Sequence, residues 1–192
     1  MNQTIKDAEK LAKRILTHKI RKSLGEYYIF WSTYVVIEGI LYSISSIHSL
    51  LIYFLIPLLL IYIAYTSVIF HKAYSKREFL HSSKNRLRYV LFTALMLSII
   101  GLWVYTLIML NDFSYYIVSD AVFTTIISIL IYDTARDTGK VRYYDYVAII
   151  TFIISMLLGP FNSLFYYLYF FFWVYAGVKS IVESYEGSED EQ

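Results

Sequence analysis

Two carboxylates inside long apolar segments are the residues of this sequence with the clearest potential for chemistry. Glu38 lies near the middle of segment 27–47, and Asp120 lies near the start of segment 115–132. A charged carboxylate at the centre of a bilayer costs ~2.5–3.5 kcal/mol on the insertion scale. Neither segment contains a lysine or arginine that could neutralise it. We therefore expect each carboxyl group to be protonated, held by hydroxyl groups, exposed to a water-filled cavity, or paired with a bound cation.

Polar side chains repeat every fourth residue around both carboxylates. Side chains at this spacing share one face of a helix. The two rows are Tyr34, Glu38, Tyr42 and Ser46 in the first segment, and Tyr116, Asp120, Thr124 and Ser128 in the second. If the rows face each other, they form a polar seam. Such a seam is either a path or pocket for protons, a cation or a small polar solute, or a set of hydrogen bonds that hold helices together. The sequence leaves both interpretations open.

The elements that must position these rows are apolar segments long enough to cross a membrane. A helix rises about 1.5 Å per residue, so about 20 residues span the ~30 Å hydrocarbon core. Hydrophobic residues make up 58% and charged residues 17% of the 192-residue chain, against about 45–50% and 25% in soluble domains. We predict an all-α, polytopic membrane protein with six transmembrane helices in three hairpins. The predicted spans are residues 27–47, 49–70, 89–110, 115–132, 143–158 and 162–182.

Polar segments flank the predicted membrane domain, which comprises residues 26–182. Residues 1–25 are typical of a basic amphipathic helix at the cytoplasmic or interfacial surface, where it either contacts anionic lipid headgroups or only sets the orientation of the chain. Gly25 is expected to bend the chain before the first span. Residues 183–192 contain five acidic residues and no basic one, which predicts an acidic disordered tail.

The distribution of basic residues predicts how the chain is threaded. With six spans, both termini lie on one side, and all seventeen lysine and arginine residues fall on that same side. Cytoplasmic loops carry the excess of these residues in membrane proteins. We therefore predict a multi-pass protein of the cell membrane with both termini in the cytoplasm.

Small residues within the predicted spans are expected at close contacts between helices. Glycine and alanine let two helix backbones approach in a membrane, where apolar side chains gain little from leaving lipid. We predict such contacts at Gly39, Gly101, Ala176 and Gly177.

Sequence motifs for catalysis and cofactor binding are missing. The chain has no cysteine, and its four histidines do not follow a metal-binding spacing such as H-E-x-x-H. It also lacks the G-x-S-x-G and P-loop motifs. We predict no cofactor and no metal, and we favour a non-catalytic accessory or partner-binding membrane subunit over an enzyme. The alternative is a small transporter or channel that uses Glu38 and Asp120.

The expected partners follow from the same features of the sequence. They are the lipid bilayer, with anionic headgroups at the cytoplasmic face, and either a membrane protein or a second copy of this chain. Nucleic acid is not expected, because no soluble fold displays the basic residues.

Overall fold

The computed structural model describes residues 2–44, 48–74, 98, 101, 105, 113–159, 161–162 and 164–189. Every regular element in these ranges is an α-helix, so the all-α prediction is confirmed for this part of the chain. The helices are α1 (Asn2–Ile44), α2 (His48–Tyr74), α3 (Phe113–Asp137), α4 (Tyr143–Leu158) and α5 (Leu164–Glu189). The third predicted span lies outside the described residues, apart from positions 98, 101 and 105.

Helix α1 is continuous through the position where a bend is expected. It has 43 residues and is therefore about 65 Å long. Gly25 is buried in this helix, and a Cβ atom added to it would lie 2.8 Å from the carbonyl oxygen of Gly177 in α5. The glycine thus allows two helices to approach closely, and it does not separate two elements.

The close contact expected at Gly177 is confirmed, and the neighbouring Ala176 is fully buried. At Gly39 and Gly101, by contrast, an added Cβ atom would meet nothing within 4 Å of the described residues. The contacts expected at those two positions therefore stay predictions. Close packing concentrates instead where α1 crosses α5.

Helix α1 is central to the described part of the fold. Helices α5, α2 and α3 all pack against α1, and α4 packs against both α3 and α5. Trp173 of α5 lies at the centre of the core, where 1% of its surface is exposed. Its ring centroid lies 5.2 Å from that of Tyr28 and 5.4 Å from that of Phe152, and its Nε1 donates a 2.8 Å hydrogen bond to the Ala148 carbonyl. This residue joins α1, α4 and α5.

Polar side chains fasten α2 to α1. Nε1 of Trp31 donates a 2.8 Å hydrogen bond to the hydroxyl of Thr66, and the hydroxyls of Thr33 and Tyr62 lie 2.7 Å apart. The ring of Tyr62 also stacks on Phe30 at 4.1 Å. Tyrosine and tryptophan can combine apolar contact with a hydrogen bond, so these pairs satisfy polar groups within an apolar interface.

Large apolar side chains face outward on several helices. Phe54, Ile61, Leu164 and Phe171 are each more than half exposed. In the described part of the chain, one helix is long and apolar enough to cross a membrane, namely Leu164–Glu186 within α5. The apolar helical segments Pro57–Phe70 and Tyr143–Leu158 are shorter.

The C-terminal helix extends into the segment expected to be a disordered tail. Helix α5 continues past residue 182 to Glu189. Glu183 therefore belongs to a helix, and its carboxylate forms an ion pair with Arg142 at the start of α4. The first part of the acidic segment is therefore helical. It continues a helix that packs against α1 and α4, and the ion pair of Glu183 holds it there.

Candidate functional site

Three of the predicted polar residues form a buried row on α3. The exposed fractions of Asp120, Thr124 and Ser128 are 4%, 2% and 8%. Because they are spaced by four residues, they lie one turn apart along the helix. We call these three residues the polar stripe. The structure thus buries three residues of the predicted row on α3, and the seam with α1 stays a prediction.

The corresponding row on α1 is less enclosed. Tyr34 and Glu38 are half-buried, and Ser46 and the side chains of Tyr42 and Tyr116 lie outside the described residues. Among the residues that the structure describes, no hydrogen bond or ion pair joins Glu38 to Asp120. In this part of the chain, the two carboxyl groups are thus not joined by a direct bond.

The hydroxyl groups of the polar stripe have unused hydrogen-bonding capacity. Oγ1 of Thr124 and Oγ of Ser128 are buried without a hydrogen-bond partner among the described residues. A buried polar group without a partner costs roughly 1–3 kcal/mol. Such groups are uncommon in native proteins and point to a ligand, an ion or a water molecule. Two of them beside a buried carboxyl group make the polar stripe a candidate binding site.

A second polar group lies where the α3–α4 loop meets α1, and we call it the charge cluster. Nη1 of Arg21 donates a 2.7 Å hydrogen bond to Oδ2 of Asp145, and Nη2 donates one of 2.9 Å to the carbonyl of Lys140. The exposed fractions of the two ion-pair side chains are 4% and 0%. The Asp145 carboxylate also accepts hydrogen bonds from the backbone amide of Arg142 (2.9 Å) and the hydroxyl of Tyr28 (3.2 Å).

Neighbouring contacts extend the charge cluster to α5. Glu183 accepts a 2.7 Å hydrogen bond from Nε of Arg142 and another from the hydroxyl of Tyr144. Oγ of the fully buried Ser180 donates a 2.8 Å hydrogen bond to the backbone carbonyl of Arg21. Helices α1, α4 and α5 are thus tied together at one end by groups whose polar atoms are paired. The cluster is suited to holding these helices in position.

At the same end of the bundle, Lys22 donates a 2.9 Å hydrogen bond to the hydroxyl of Tyr185 in α5. This hydrogen bond raises the pKa of the Lys22 amine, because it stabilises the charged form. The pair is exposed to solvent, so its contribution to stability is small.

Comparison with known proteins does not identify the chain. It matches no protein family model, no curated protein and no solved structure. In the described ranges, no three histidine, aspartate or glutamate side chains come together as a metal site would require.

The pairing of Arg21 with Asp145 could not be recognised from the sequence alone. The sequence pattern places Arg21 on the polar face of an amphipathic helix, and Asp145 lies three residues into a predicted span. A local signal existed for Asp145, since an acidic residue in the first turn can accept the amide before the helix. No local signal indicated that its guanidinium partner lies 124 positions away.

Proposed function

We propose that this protein is a multi-pass membrane protein with a non-catalytic role, as an accessory or partner-binding subunit, and with both termini in the cytoplasm. Its outward apolar side chains support membrane embedding, because a contiguous exposed apolar surface is a liability in water and suits lipid. An open apolar depression of about 400 Å³ also runs along α3, lined by Val118, Ala121, Val122, Thr125 and Ile126.

The short helix α4 is compatible with a position across the bilayer. The 16 residues of α4 would cover about 24 Å. A segment shorter than the ~30 Å core is accommodated by local thinning of the bilayer at a modest cost. The segregation of all seventeen basic residues to one side of a six-span threading supports the cytoplasmic orientation.

The observation that carries the partner-binding role is the N-terminal extension of α1, which we define as residues 2–17. It belongs to the same continuous helix as the core residues, and it would project roughly 24 Å from the bundle. The charge cluster holds the base of this extension through Arg21. A buried ion pair fixes the direction in which the extension leaves the bundle, so it can present its surface in a defined orientation.

The N-terminal extension presents apolar residues between basic ones. Leu11 and Ile15 are 50% and 49% exposed, and they lie one turn apart, with the exposed Lys10 and Lys13 on another face. Helices that dock on another helix use anchors at this spacing, and basic flanks favour an acidic partner. We infer that the extension binds a helix of a membrane protein or of a second copy of this chain.

The threading can be tested with single cysteines, because the chain has none of its own. Lys13→Cys and Asn162→Cys lie at opposite ends of the proposed bundle. In intact cells, an impermeant maleimide should label Asn162→Cys only, and both variants should react after the cells are opened. Labelling of Lys13→Cys in intact cells would contradict the proposed orientation.

Partner binding can be tested at the N-terminal extension itself. Replacing Ile15 by a photo-crosslinking amino acid in cells should give one discrete adduct, either with a membrane protein or with a second copy. To test the anchors, the crosslinker is moved to Thr4, and the pair Leu11→Ala and Ile15→Ala should then reduce the adduct at least tenfold, with membrane insertion unchanged. The pair Lys10→Ala and Lys13→Ala is the matched control for anionic lipids. If the adduct is unchanged after both apolar anchors are removed, the N-terminal extension is excluded as the partner-binding surface.

A second candidate function, a small transporter or channel, is favoured by the polar stripe. Its unpartnered hydroxyls would line part of a polar path. For this role, we expect the protein in liposomes to transport protons, a cation or a small polar solute. Asp120→Asn or Glu38→Gln should change the rate of this flux. Unchanged flux in both variants would remove these carboxyl groups from any path.

A further inference from the structure

We propose that the polar stripe binds a monovalent alkali cation, with Asp120 as its anionic ligand and Thr124 as the adjacent neutral oxygen ligand. The starting observation is that Oγ1 of Thr124 and Oγ of Ser128 have no hydrogen-bond partner within the described ranges, although both residues are buried. Asp120, one turn away, is 4% exposed. Three oxygen-bearing side chains are thus enclosed in one row.

The hydroxyls of the stripe differ from other hydroxyls of the same protein. Thr125, directly beside Thr124, donates a 2.8 Å hydrogen bond to the carbonyl of Ala121 four residues earlier. Ser67 and Thr151 do the same in α2 and α4. This local bond is the usual way for a helical serine or threonine to satisfy its hydroxyl. Since Thr124 and Ser128 lack it, their oxygens are free to bind something else inside the bundle.

The oxygens of Asp120 and Thr124 are not joined by a direct hydrogen bond. No described residue, Asp120 included, forms a hydrogen bond with the Thr124 hydroxyl, so a protonated Asp120 gains no hydrogen bond from it. A Na⁺ ion, which is similar in size to Ca²⁺ and binds oxygen at roughly 2.3–2.6 Å, can bridge two oxygens up to about 5 Å apart, and the larger K⁺ can bridge a slightly wider gap. Such an ion would use both groups.

The charge and ligand types indicate which ion fits. The stripe offers one carboxylate and hydroxyl oxygens, with no nitrogen or sulfur ligand, so it suits a hard cation. Calcium usually takes six to eight oxygens, several of them carboxylates. A single carboxylate in a segment without lysine or arginine balances one positive charge. A monovalent ion is therefore the better match.

The proposed cation site is independent of the accessory role. It lies on α3, whereas the partner surface lies on the N-terminal extension of α1. It also does not need Glu38, which no hydrogen bond or ion pair joins to Asp120 within the described part of the chain. A bound cation could stabilise an accessory subunit, or it could be carried by a transporter.

The test uses the purified full-length protein in an uncharged detergent at constant pH and ionic strength. Thermal unfolding is followed while NaCl or KCl replaces choline chloride. We expect a saturable rise in Tm with at least one alkali salt, and we expect Asp120→Asn to abolish it. Thr124→Val, which keeps the side-chain shape, should weaken the apparent affinity about tenfold. Thr125→Val is the matched control that should retain the wild-type response.

Each outcome either supports the cation site or excludes it. Equal Tm values in alkali and choline salts would overturn the proposal and leave a protonated carboxyl group or a bridging water. An alkali response that persists in Asp120→Asn would overturn it as well. If Asp120→Asn does not fold, the comparison of Thr124→Val with Thr125→Val decides: equal affinities in these two variants would exclude the stripe.

Discussion

The ion pair between Arg21 and Asp145 should be the largest single electrostatic contribution to holding α1 in the bundle. Asp145→Asn keeps the shape of the side chain and one oxygen acceptor. It removes the negative charge beside the Arg21 side chain, of which 4% is exposed. Removing one partner of a buried pair costs about 3–5 kcal/mol, because the other charge stays buried and uncompensated. Arg21→Met should cost a similar amount, because the Tyr28 hydroxyl and the Arg142 amide do not neutralise the remaining carboxylate. We expect both variants to lower the free energy of unfolding by this amount.

The assay is a double-mutant cycle on the protein in mixed micelles, with unfolding by SDS followed by circular dichroism. Residues in direct contact show coupling energies of about 0.5–3 kcal/mol, and this buried pair should lie at the upper end. The double variant should therefore be more stable than the sum of the single changes predicts. Asp133→Asn and Arg136→Met, both at exposed positions of α3, are the matched controls and should change stability by less than about 0.5 kcal/mol. Single variants within about 1 kcal/mol of the wild type, or an additive cycle, would refute this reasoning.

Three further predictions concern α5 and its contacts, and each is checked by the same unfolding assay. Gly177→Val should destabilise the protein by about 1–3 kcal/mol, because its side chain would collide with α1; a tolerated Gly177→Val would mean that the two helices do not cross there. Gly39→Ala should be neutral or stabilising, because among the described residues an added Cβ atom would meet nothing within 4 Å. Trp173→Phe should cost about 1–3 kcal/mol, because it leaves a gap in the core and removes the hydrogen bond to a backbone carbonyl in α4; an effect below about 0.5 kcal/mol, within the usual range for surface changes, would contradict its central position. Glu183→Gln should cost less than about 1 kcal/mol, since 31% of the Glu183 side chain is exposed in its ion pair; a loss as large as that of Asp145→Asn would show that this pair is shielded from solvent.

The polar stripe could be predicted from the sequence because its signal is periodic and local. Asp120, Thr124 and Ser128 repeat at the spacing of a helical turn, and the structure buries all three. The helical character of residues 143–158 could also be predicted, since α4 has these same bounds. In both cases the pattern depends only on which face of a helix is apolar or polar, and neighbouring residues along the chain carry that information.

At Gly25, the neighbouring residues predict a break between two helices, and this prediction is wrong. Glycine lowers helix propensity and often marks a bend, so the sequence favours a break between two helices. Instead, α1 continues, and Gly25 lies against Gly177. The glycine is needed because of a backbone more than 150 positions away, and that neighbour cannot be recognised from the residues beside Gly25.

By itself, the sequence determined that the described chain is helical, where its apolar segments lie, and which face of α3 is polar, because these properties follow from composition and from spacing along one helix. Only the tertiary structure decided that Arg21 pairs with Asp145 and that Gly25 meets Gly177. These contacts depend on how helices that are distant in sequence rotate and cross. The packing of side chains such as Trp173, in contact with several helices at once, sets those angles.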